Sequence, residues 1–157
     1  MSQSVNPDGR AHKDQQTFRL QYSVGILINA APDKIWSLLT NAADIPRWTS
    51  TVTSIDGTIA PGQKIKLRVP IAPQRTFQLK VSVFEPGKSL VLRDGMAPMF
   101  QGVRSYSLAP RPDGSTEFAM TEVLSGLMLP MIRGALPDFT ASFEQYAKDL
   151  KKEAERP

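Results

Sequence analysis

The stretch from Phe100 to Leu124 constrains this chain most, because its turn dictates which residues face each other. Arg111-Pro112-Asp113-Gly114-Ser115 places proline early and Gly114 where a turn needs positive φ. With Arg111 opposite Ser115, Leu108 faces Phe118, Tyr106 faces Met120, Arg104 faces Glu122 and Gly102 faces Leu124. Side chains alternate across a strand, so these eight share one face of a sheet. That face is apolar except for one cation opposite one anion. A sheet holding such a pair among Phe, Tyr, Met and Leu either braces a core or lines a cavity.

The periodicity of the flanking segments supplies the partners. Phe18, Leu20, Tyr22, Val24, Ile26 and Ile28 alternate strictly and predict a long strand with one buried face. Ala31-Pro32-Asp33 opens a helix, with Pro32 suited to its first turn and Asp33 to the positive end of its dipole. A short second helix is expected over residues 42–47, with Trp48 at the corner. Strands are expected over residues 49–55, 64–69, 77–84 and 89–94, then in the two arms of the hairpin. After Gly126 the period changes. Leu136, Phe139, Phe143, Tyr146 and Leu150 form one stripe of a terminal helix, bent near Gly134–Pro137 and ending about Glu155. The predicted class is α+β: a curved antiparallel sheet of about seven strands in the order β-α-α-β6-α, wrapped around the last helix.

Length and composition set the limits. A chain of 157 residues suits one domain with a real core, expected over residues 16–155, and the polar residues 1–15 read as a flexible tail. The start of the chain has no apolar run resembling a signal peptide, and no segment is long and apolar enough to span a bilayer. With no cysteine, disulfides and thiol chemistry are excluded, which fits a cytoplasmic protein. The only histidine, His12, lies in the polar N-terminal segment, so a histidine triad and a zinc site are both poorly supported. No glycine-rich phosphate loop is present, and no metal or cofactor is expected. The net charge of +4 reads as a solvated face. Lys64, Lys66 and Arg68 alternate with Ile65, Leu67 and Val69 and lack the aromatic interleaving of a nucleic-acid platform.

Two segments resemble a known superfamily. They are Ile28-Asn29-Ala30-Ala31-Pro32-Asp33-Lys34-Ile35-Trp36-Ser37-Leu38-Leu39-Thr40 with Ile45-Pro46-Arg47-Trp48, and Tyr106-Ser107-Leu108 with Thr121-Glu122-Val123-Leu124-Ser125-Gly126-Leu127 and the final helix. Together they resemble the START-like, SRPBCC or helix-grip proteins, and among them the polyketide cyclase/dehydrase-like group. The resemblance spans roughly residues 18–155 and implies a deep apolar cavity between sheet and long helix. Some related proteins carry histidine where Arg104 stands, so that histidine's proton-transfer role does not carry over.

The candidate ligand-binding residues follow from the hairpin face and the terminal stripe. Arg104 and Glu122 form a polar anchor, with Tyr106, Tyr22, Met120, Phe118, Leu92, Leu136 and Phe139 around them. Arg104 beside Glu122 favours the ionised carboxylate, which suits static anchoring better than acid–base catalysis. Asp94 shares the parity of Leu90 and Leu92 but, at a strand end beside Gly95, is expected to meet solvent. Trp36 and Trp48 are expected to brace the helix corner. Beyond Met1, the methionines are Met96, Met99, Met120, Met128 and Met131, which border a mouth with Phe100, Leu127, Leu129 and Ile132. Met99 and Phe100 are taken as ligand contacts, and the cluster also offers a homodimer contact. The leading reading is a carrier or sensor that binds a small hydrophobic ligand: a lipid, polyketide or aromatic. A cyclase or dehydratase without metal or cofactor is the second. A protein-interaction module of chaperone-activator type is the third. Neither nucleic acid nor an integral membrane is expected as partner.

Overall fold

A computed structural model describes residues 5–157. Its elements run β1 (Asp8–Gln16), β2 (Arg19–Ile28), α1 (Pro32–Thr40), α2 (Ile45–Trp48), β3 (Ser54–Asp56), β4 (Lys64–Arg68), β5 (Phe77–Glu85), β6 (Ser89–Met96), β7 (Phe100–Pro110), β8 (Thr116–Ser125), α3 (Leu129–Ile132) and α4 (Thr140–Ala154). A 3₁₀ turn at Arg133–Ala135 joins α3 to the approach of α4, where the sequence predicts a bend. The strands form one antiparallel sheet of eight, in the order β1-β2-β8-β7-β6-β5-β4-β3.

The additional strand is β1. Residues 1–15 read as a tail because they are polar; residues 1–4 lie outside the described residues, and residues 8–16 instead pair along β2. An edge strand needs no apolar run when a polar element covers it. Here α4 and the segment before it do so: the Ala11 N–H donates to Oε1 of Glu144 on α4 at 3.0 Å, and Lys13 pairs with Asp138, just before the helix, at 3.4 Å.

The hairpin has the predicted register. Arg104 opposes Glu122, Tyr106 opposes Met120, Leu108 opposes Phe118 and Gly102 opposes Leu124. Gly114 turns at φ 89°, and the Arg111 N–H donates to the Ser115 carbonyl at 2.8 Å. Pairings on either side extend one transverse row, Lys13–Tyr22–Glu122–Arg104–Leu92–Val81. The ion pair therefore sits mid-sheet on the inner face.

Helix α4 buries Phe143, Tyr146, Ala147 and Leu150, lying chiefly over β2 and β1. Trp48 meets Tyr146 edge to face at 5.3 Å and Trp36 meets Phe84 at 5.1 Å, so both tryptophans brace the α1–α2 corner as expected. The inner faces of β4 to β7 extend beyond the helix, and the interior opens there.

Candidate functional site

A cavity of about 300 Å³ lies between the inner sheet face and the approach to α4. Its wall includes Leu67 and Val69 at β4, Phe77 and Leu79 on β5, Asp94 on β6, Phe100, Gly102 and Arg104 on β7, Glu122 and Leu124 on β8, and Leu136 and Phe139 before α4. This volume is at the lower end of the ~300–1,000 Å³ typical of small-molecule sites. A shallower groove of about 260 Å³ adjoins it, between Ile71–Arg75 and Ala135–Pro137. Arg75 and Leu136 border both hollows, which marks the mouth.

Arg104 and Glu122 hold the deep polar position. Nε and Nη2 of Arg104 both donate to Oε2 of Glu122, the former at 3.0 Å. The side chains are 15% and 16% exposed. The guanidinium also lies 5.5 Å from the Phe143 ring centre, a cation–π contact. Burial works against the Arg104 charge, yet Glu122 and Tyr106 more than offset it and hold its pKa above the ordinary value. Both hydrogen bonds converge on one carboxylate oxygen. Among the described residues Oε1 of Glu122 accepts none, although it is not sealed away from solvent. The pair can thus anchor a ligand hydroxyl or carbonyl without dissolving. Burial raises the Tyr106 pKa, with Arg104 opposing it, and burial together with Tyr106 raises that of Tyr146 further; both phenols stay neutral donors.

Asp94 departs from the sequence expectation. Strand β6 continues past it to Met96, so Asp94 lies within the ladder opposite Gly102 and lines the cavity. Gly102 offers no side chain to crowd it. Burial raises the pKa of the carboxyl; a Gly95 N–H bond lowers it, Glu122 raises it and Arg75 lowers it, for a net rise. A carboxyl with a raised folded-state pKa ionises more readily in the unfolded chain. Stability should therefore fall as pH climbs from the ordinary value of 3.8 through the raised one. Asp94→Asn is expected to be more stable than the parent at neutral pH, with the advantage vanishing in acid below that window. Urea unfolding at several pH values checks this; an advantage independent of pH would refute it.

The other sequence candidates divide by location. Phe100, Leu136 and Phe139 line the main cavity with Arg104 and Glu122. Leu92 and Tyr106 border a separate hollow of about 20 Å³, and Met120 borders another of about 20 Å³. Tyr22 is buried edge to face against Phe139 at 5.6 Å, and Phe118 packs between Tyr106 and Tyr146, so both are core. Met99 lies outside the cavity. Its carbonyl accepts the Met128 N–H at 2.9 Å while Pro98 accepts that of Leu127 at 3.0 Å, tying the β6–β7 turn to the β8–α3 link. The two methionine-bearing segments meet as expected, but Met96, Met99, Met128 and Met131 are exposed and none is among the lining residues. Sequence reasoning missed Arg75, whose loop has no periodicity to reveal it.

Comparison with known proteins agrees with this architecture. Residues 19–155 match the family model described as polyketide cyclase/dehydrase and lipid transport. No curated protein matches the sequence. Among solved structures, a START superfamily protein from Mycobacterium smegmatis is similar with a TM-score of 0.63 at 18% identity, over 86% of this chain and 97% of that one. A conserved protein of unknown function from Enterococcus faecalis aligns with a TM-score of 0.65 at 16% identity, over 94% and 78%. DynU16, from the dynemicin biosynthetic locus, gives 0.63 at 17% identity, over 86% of this chain and 47% of its own. At these identities the likeness shows the shared helix-grip fold. No helix among the described residues is long and apolar enough to cross a membrane.

Proposed function

Because the chain belongs to the polyketide cyclase/dehydrase and lipid transport family, we propose that it binds a small hydrophobic ligand in its internal cavity, as a carrier or sensor. The observation that carries this reading is a hollow of about 300 Å³ in which Leu67, Phe77, Leu79, Leu124, Leu136 and Phe139 share the wall with polar side chains, and Arg104 and Glu122 form a compensated ion pair. The apolar side chains of such a wall bind by shape, and its fixed polar groups orient the ligand by hydrogen bonds. Arg104 and Glu122 provide that orientation. Exposed methionines are what a protein-interaction module needs; an open cavity is not.

Gly102 is the place to test this. A Cβ there would come 3.3 Å from Cδ2 of Leu124 and 3.8 Å from Cβ of Asp94, contacts a flexible leucine can relieve. Gly102→Val should narrow the hollow beside the ion pair while leaving the fold intact. The neutral dye N-phenyl-1-naphthylamine is expected to bind the parent and to bind the variant at least about tenfold more weakly, about 1.4 kcal/mol. Native mass spectrometry should show apolar adducts only on the parent. Equal dye binding by both proteins would defeat the reading.

Asp94 favours a second reading, a polyketide cyclase/dehydratase-like enzyme. A carboxyl held toward its protonated form inside a cavity can protonate a carbonyl or a departing hydroxyl. Asp94→Asn would then retain dye binding but lose turnover of a linear poly-β-ketone. Turnover that survives the substitution would leave only binding.

A further inference from the structure

We propose that Arg75 forms an anion subsite at the cavity mouth, and that the ligand is an amphiphile with its apolar body inside and a carboxylate or phosphate at Arg75. The inference rests on the cavity-binding reading and adds the ligand's charge and direction. Two cations border the cavity, and they differ in kind. Arg104 is compensated by Glu122. A ligand carboxylate brought there would gain little from Arg104 and would meet Glu122. Arg75 has no ion-pair partner among the described residues. Its guanidinium rests 5.6 Å from the Phe77 ring centre, which holds the stem without spending the charge. Its own N–H donates to the Ala72 carbonyl at 3.1 Å, closing a turn that fixes the loop.

The surroundings agree. Arg75 borders both the inner cavity and the outer groove. That groove is lined by Ile71, Ala72, Pro73, Gln74 and the Ala135–Pro137 segment, with no acidic residue. Of the two acidic groups of the cavity, Glu122 is held by Arg104, and Asp94 feels the Arg75 charge without forming an ion pair with it. An amphiphile entering tail first would pass its apolar part between Phe77, Leu79 and Leu136. Its anionic end would stop at a guanidinium that no ion pair holds, beside a groove with no acidic residue and with water still at hand. An exposed guanidinium contributes modestly to such binding, but it discriminates between head groups.

Decanoate, decyl phosphate and decan-1-ol share one tail and test the proposal by calorimetric titration at neutral pH. The parent should bind at least one of the two anions about tenfold more tightly than the alcohol, and added salt should narrow the gap. Arg75→Met keeps the stem over Phe77; it should bring the anions to the level of the alcohol and leave alcohol affinity unchanged. Arg75→Lys should restore part of the preference. The two anionic arms say which head group the site takes. Alcohol binding without an anion preference, or a preference intact in Arg75→Met, overturns the subsite and leaves the cavity reading standing. Binding of none of the three probes overturns both.

Discussion

Arg104→Ala is expected to lower the unfolding free energy by about 3 kcal/mol, the low end of what breaking a buried ion pair costs. The substitution strands the carboxylate of Glu122, whose side chain is 16% exposed on an otherwise apolar face. It also removes the cation over Phe143 and leaves a void beside Tyr106. Water from the adjoining cavity can reach Glu122, which keeps the loss from growing larger. An exposed pair would lose less than about 1 kcal/mol. The double variant Arg104→Met with Glu122→Leu should recover most of the loss, because it removes the stranded charge together with its partner. Urea unfolding of the parent, Arg104→Ala, Arg104→Met, Glu122→Leu and the double variant measures the loss and closes the cycle. A single-variant loss below about 1 kcal/mol, or strict additivity in the double, would show that the pair is solvated and uncoupled.

Gly126→Ala should be as damaging, by about 3 kcal/mol, for a different reason. Gly126 has φ 132°, a conformation L side chains rarely adopt. A Cβ there would fall on the Met99 carbonyl, which is backbone and holds the Met128 N–H. The Gly126 N–H in turn donates to the Phe18 carbonyl at 3.0 Å. Three chain segments therefore meet at a residue with no room for a methyl group. Strain of about 1–3 kcal/mol adds to about 1 kcal/mol for each hydrogen bond displaced. Gly114→Ala is the control: its φ is 89°, but nothing lies within 4 Å of the added Cβ. That change should cost only about 1–2 kcal/mol. Equal losses at the two positions would mean that crowding at Gly126 contributes nothing.

What was legible in the sequence was whatever a period or a turn specified. Alternation over Leu20–Ile28 and the Pro112–Gly114 turn placed β2, β7 and β8 and paired Arg104 with Glu122, because a shift of one residue would expose every apolar side chain, whereas Phe18, read into the same alternation, lies before β2 and is exposed. The terminal stripe placed α4. The misreadings share a cause: the deciding contact was tertiary. Strand β1 is polar because its cover is supplied by Glu144 and Asp138 rather than by apolar side chains. Asp94 had the inward parity, but its neighbour Gly95 suggested a strand end, and only the opposing Gly102 reveals the space it occupies. Arg75 and Met99 sit on loops whose direction no periodicity encodes. Tyr22 and Phe118 face inward as expected, and ring packing then removes them from the cavity wall.

The hollow opposite Gly102 links occupancy to folding. A molecule that binds only the native chain raises its stability by an amount set by concentration over dissociation constant, about 2.7 kcal/mol at a hundredfold excess. Heat resistance would therefore report any molecule seated in the hollow. A panel of metabolite extracts ranked by the melting shift they produce would pick out candidate ligands without any assay for turnover.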